Sequence, residues 1–116
     1  MATSYQNSGT FVANAAITAF RLVSISSNRG VGLSATASLP DGVATIDAAS
    51  GDLVTVQFLG GNTVKVTLLA GPVTVNDTLF STANGTVAIT GSITVGKSLT
   101  TASDASAIIE MLPKNL

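Results

Sequence analysis

Histidine and cysteine are both missing from this chain of 116 residues, and Glu110 is its only glutamate. Without histidine, no side chain has an ordinary pKa suited to proton transfer near neutral pH, and the commonest metal ligand is gone as well. Without cysteine, thiolate nucleophiles and sulfur-bound zinc or iron are excluded. The same lack agrees with a reducing compartment. Tryptophan is absent and Tyr5 is the one tyrosine, which leaves few rings for a sugar-binding platform. No apolar run approaches the ~20 residues of a membrane-spanning helix. Met1–Thr10 shows no basic region followed by an apolar stretch, so no signal peptide is visible and a soluble cytoplasmic product is expected.

Charge is scarce too. Only 9% of residues are charged, for a formal net charge of −1. The basic residues Arg21, Arg29, Lys65, Lys97 and Lys114 are scattered, whereas a nucleic-acid footprint needs several cations on one face. So little charge protects poorly against association, and the chain reads as one that works assembled. The length suits one domain that buries roughly two thirds of its unfolded surface.

What is present is Ser, Thr, Ala, Val and Gly in short runs of period two. Val54, Val56 and Phe58 alternate with Thr55 and Gln57. After Leu59-Gly-Gly-Asn62, Val64, Val66 and Leu68 alternate with Lys65 and Thr67, which reads as a β-hairpin with one apolar face. Leu22–Ile25 before Asn28-Arg29-Gly30, and Val87 and Ile89 after Asn84-Gly85, read the same way. Turn markers also fall at Asp41-Gly42, Ser50-Gly51-Asp52 and Gly71-Pro72. Short strands with turns at this density give an all-β class, a small barrel or sandwich of short antiparallel strands. Residues 100–107 read as loop. Residues 1–13 are expected to be a flexible N-terminal arm and 14–116 a single β-domain.

The halves resemble each other. Ala16–Ser24 lies over Pro72–Phe80, and Asp41–Ser50 over Val95–Ser103. Two copies of a β-unit about 50 residues apart suggest a fold built by duplication.

Each chemical motif has a plainer reading. Gly91-Ser-Ile-Thr-Val-Gly-Lys-Ser98 satisfies the phosphate-loop pattern, but Ile93, Thr94 and Val95 favour extended strand over an anion nest. Leu99-Thr-Thr-Ala-Ser is also a poor helix start, so strand is preferred to nucleotide site. Asp47 and Asp52 flank a glycine loop, yet calcium needs several converging oxygens, and two carboxylates across a turn are usually turn residues. Asn76-Asp-Thr78 and Asn84-Gly-Thr86 match the glycosylation acceptor pattern, which without a secretory signal is turn chemistry. A serine paired with Lys65 or Lys97 would have to meet it in space. Phe20, Phe58 and Phe80 read as core, while Phe11 anchors the arm either on the domain or on a partner. No catalytic residue, cofactor or metal site is assigned.

Three stretches carry a resemblance: Asn14-Ala-Ala-Ile-Thr-Ala-Phe-Arg-Leu-Val23; Pro40-Asp-Gly-Val-Ala-Thr-Ile-Asp-Ala-Ala-Ser-Gly-Asp-Leu-Val-Thr-Val56; and Asn62-Thr-Val-Lys-Val-Thr-Leu-Leu-Ala-Gly-Pro-Val-Thr-Val-Asn-Asp-Thr-Leu79. Together they resemble the small capsid decoration (cement) proteins of tailed bacteriophages, over about 14–112. One departure is that Phe20-Arg21 stands where the family often has Gly-Asp. The resemblance implies a non-enzymatic virion protein on the outer face of an expanded capsid, clamping neighbouring major capsid subunits, commonly as a trimer. From the scattered charge and the lack of a long apolar run, no nucleic-acid or membrane partner is expected. The arm would supply the capsid contacts, with Tyr5, Phe11 and Val12 as candidates. The alternative is a non-enzymatic receptor- or carbohydrate-binding or fibre β-module.

Overall fold

Over the described residues, period-two alternation resolves into ten strands and one short 3-10 turn, Ala83–Gly85. The computed structural model describes residues 8–36, 38–59 and 63–113. The strands are β1 Ser8–Ala13, β2 Leu22–Ser27, β3 Gly30–Leu33, β4 Gly42–Ala44 and β5 Leu53–Phe58, then β6 Val64–Thr67, β7 Thr78–Ser81, β8 Val87–Ala88, β9 Thr94–Ser98 and β10 Ile108–Pro113. The first five form a closed barrel in the order β1-β3-β2-β4-β5. The other five form an open sheet in the order β6-β10-β9-β7-β8. All strand pairs are antiparallel except β1 with β3.

The two units repeat each other down to their register. Thr10 faces Thr55 in the first, and Lys65 faces Glu110 in the second. Val23 pairs with Gly42, and Leu79 with Gly96. The isolated bridge Ile17 to Ala48 has its counterpart in Val73 to Ala102. Even closure is echoed, since the parallel pair Ala13 to Val31 that seals the barrel corresponds to the lone parallel bridge Leu68 to Val87. The duplication read from the sequence is therefore present in the backbone pairing.

The second unit stays open because the first unit fills its gap. In the barrel, the Val12 N–H donates to the Arg29 carbonyl (2.6 Å). At the matching place, the Thr67 N–H donates to the carbonyl of Phe20 (2.9 Å), and Thr67 Oγ1 donates to the same oxygen (3.0 Å). Leu22 and Val43 follow Phe20 into the gap, and both belong to the hydrophobic cluster of the second unit, with Leu79, Val66 and Met111. Burying two such side chains contributes about 1.5–3 kcal/mol each. The barrel has a smaller core of its own, built on Phe11, Val23, Val31, Val54 and Val56.

Two expectations are corrected. β5 and β6 are not a hairpin: β5 pairs with β1 and β4, and β6 with β10. The alternation was sound, since Val54, Val56, Val64 and Val66 are all buried. Alternation reports which face is buried, not which strand takes the edge, and both edges of β5 are occupied. The arm over 1–13 is also too long, because Ser8–Ala13 is a strand paired with β5 from Ser8 to Val12. Its alternating burial places Phe11 and Ala13 inward, a pattern masked in the sequence by the small polar residues around it. The remainder of the expected arm, residues 1–7, lies outside the described residues. The loop reading of 100–107 agrees with the structure, which has only the bridge at Ala102 and a turn there.

Candidate interaction surface

Side chains that could have carried chemistry prove to hold the backbone. The Asp47 carboxylate accepts the Ala19 N–H (2.7 Å), and the Asp77 carboxylate accepts the Thr74 N–H (2.9 Å). Asp52 contributes by its main chain instead, its carbonyl accepting the Ala13 N–H (2.9 Å). Among the described residues, no three acidic, histidine or cysteine side chains gather to hold a metal. The phosphate-loop match runs into β9, where Thr94–Ser98 is extended and Lys97 is exposed. The β-branched run therefore behaves as its geometry demands.

Of the candidate contacts, Phe11 is committed to the barrel. It is 6% exposed and meets Phe58 edge to face, with ring centroids 5.9 Å apart. The Arg29 guanidinium carbon lies 4.6 Å from the Phe11 ring centroid, and Nη2 donates to the Thr10 carbonyl (2.6 Å). Phe11 thus anchors its segment on the domain. Val12 points the other way, half-buried on the outer face and directly across from Leu53. Leu53 is 65% exposed, the most exposed large apolar side chain among the described residues. Tyr5 lies outside the described residues.

The junction between the units carries the surface features that composition alone did not disclose. Two clefts of about 210 and 500 Å³ open there, sharing Phe20, Lys65 and Glu110 as walls. Lys65 and Glu110 are opposed across the β6–β10 ladder, a favourable pairing of charges. Phe20 has φ of 64°, and its counterpart Asn76 has φ of 78°. The left-handed turn is thus common to both units, although a bulky residue is strained in it. Arg21 reaches across the junction, where Nη1 donates to the Asn84 carbonyl (3.0 Å). Phe20 and Arg21 were visible in the sequence as a departure from the Gly-Asp pattern, but their inter-unit role was not.

A shallow groove of about 290 Å³ lies on the far side of the second unit, lined by Thr78, Thr94, Gly96, Lys97, Leu112 and Pro113. Nothing in this inventory assembles a nucleophile with a base. What it offers is apolar and hydroxyl-rich surface of the kind that meets other proteins.

Comparison with known proteins agrees with that reading. No curated protein matches the chain. Among solved structures, the N base of the head fiber gp8.5 of bacteriophage phi29 shares its fold with a TM-score of 0.79 at 23% identity, and 92% of each chain is covered. The model of the phage cement protein family matches residues 3–113. By that match, which spans nearly all of the chain, this protein belongs to the phage cement protein family, and it is a non-enzymatic structural protein associated with the phage capsid.

Proposed function

We propose that this protein binds the exterior of the phage shell as a homo-oligomer, a trimer in the family pattern, and bridges neighbouring major capsid subunits so that the lattice resists internal pressure. The observation that carries the reading is the family match over residues 3–113. Low charge and exposed apolar side chains such as Leu53, Leu112 and Ile108 support it, because many modest contacts made together give high avidity. Tyr5 is the proposed N-terminal contact with the shell, while Val12, with Leu53 across from it on the strand face, serves the assembly of copies that bind there together. The fibre-module reading draws on the likeness to a head-fiber base; it too places the domain on the head, and differs in making it a mount for something longer. The test is to add purified protein to undecorated expanded capsids. Saturable binding with a higher capsid melting temperature is expected; absence of both refutes the reading.

A further inference from the structure

The first unit docks on the second through one face, and the second unit carries the matching face uncovered. In the first unit that face is Leu22, Val43 and Gln57, joined by the β2–β4 and β4–β5 registers. The same registers in the second unit place Thr78, Lys97 and Leu112 together. Within the chain, the first face lies against Thr63, Lys65 and Thr67: Val43 and Lys65 line one cleft, and Gln57 Nε2 donates to the Thr63 carbonyl (3.4 Å). The counterparts of that receiving ridge in the first unit are Ser8, Thr10 and Val12.

We propose that a second copy of this chain docks head to tail here, with the Thr78, Lys97 and Leu112 face of one copy seated on the Thr10 and Val12 ridge of the next. The proposal deepens the oligomer in the functional reading by assigning its surface. Both faces present apolar side chains to solvent, Leu112 at 42% and Leu53, beside Val12, at 65% exposure. Opposite charges also stand at the matching places. Arg21, which crosses to Asn84 within the chain, is replaced by Asp77, whose carboxylate also holds the Thr74 N–H, and the residue beside the counterpart of Asn84 is Arg29, whose Nη2 also holds the Thr10 carbonyl of the receiving ridge. The docking is shallower than the one inside the chain. Barrel closure already takes the Val12 N–H, so no copy repeats the Phe20 bond. Thr78 and Lys97 accordingly replace the Leu22 and Val43 that enter a core. A head-to-tail contact is heterologous, and it either closes into a ring or runs open.

The absence of cysteine makes the test direct. Thr10→Cys and Lys97→Cys are exposed strand positions on the two faces, and Ala105→Cys is an exposed control outside both. The single variants are mixed pairwise and mildly oxidised, both free and bound to capsids. A Thr10→Cys with Lys97→Cys disulfide at about tenfold the yield of control homodimers is expected, as a docked pair raises local thiol concentration. Dominant Lys97→Cys homodimers overturn the proposal in favour of a face-to-face contact. A mixed yield no higher than control, free and on capsids alike, overturns it outright. Capsid binding is read separately by co-sedimentation, so cross-linking without binding sinks the capsid reading alone, and binding without cross-linking sinks this one alone.

Discussion

Gly42 and Gly96 hold matching positions, and neither leaves room for a side chain. A Cβ on Gly42 would lie 2.6 Å from the Gln57 carbonyl oxygen, and one on Gly96 would overlap the Leu112 carbonyl. Those oxygens belong to partner strands and cannot swing aside. Gly42→Ala is therefore expected to cost about 1–3 kcal/mol through overpacking, read as a drop of several degrees in thermal midpoint. Gly51 supplies the control. Its φ is +90° but a Cβ there meets nothing within 4 Å, so Ala carries only the left-handed strain of about 1–2 kcal/mol. If Gly42→Ala unfolds through local strand loss, hydrogen exchange will show it at β4 and β5; a variant as stable as wild type contradicts the close approach. Phe20 is the opposite case, a side chain where the repeat tolerates Asn76 because asparagine accepts positive φ. Sequence comparison of the halves could align these two residues, but not reveal that the Phe20 carbonyl would be spent on Thr67.

At the level of strands, the alternating valines were legible, and so was the β2–β3 hairpin around Asn28-Arg29. Its two central residues fall between the paired Ser27 and Gly30, and local turn chemistry decides such a pairing. The turn between β5 and β6 carries equally good local signals, yet the chain passes there from one unit to the other. Long-range edge competition decided that pairing, and no local signal records it. The junction makes an unusual prediction. Leu22 belongs by sequence to the first unit but by packing to the second core. Leu22→Ala is expected to cost about 2–5 kcal/mol and to raise hydrogen exchange in β6 and β8 more than in β1 and β5. Thr78→Ala, its exposed counterpart, should change stability by no more than about 0.5 kcal/mol. Equal loosening of both units by Leu22→Ala would show that they melt as one, with no plug between them.

For the whole molecule, duplication supplied two copies of a five-strand unit, and small differences at matching positions gave them separate tasks. One closed and kept its own core, while the other stayed open and accepted its neighbour. That division bears on where the shell-binding segment begins. β1 pairs with β5 from Ser8 to Val12 and closes on β3 at Val12 and Ala13, so residues 8–13 are part of the barrel. Removing 1–13 deletes Phe11 and Ala13 from the core. Phe11 alone is worth about 3–5 kcal/mol against a total of roughly 5–15 kcal/mol for a domain, and cooperative melting should be lost. Removing only 1–7 spares every described strand and should leave the thermal midpoint within a few degrees of the full chain. Capsid titration of this shorter deletion then separates two sources of affinity. Weakened binding with an unchanged melt assigns contacts to the segment that holds Tyr5. Undiminished binding removes Tyr5 from the interface and leaves half-buried Val12 and exposed Leu53, side by side on the barrel wall, as the first pair to mutate; there a charged substitution such as Leu53→Asp should weaken binding, by breaking the contact between copies that gives avidity, without unfolding the protein, since Leu53 contributes to neither core.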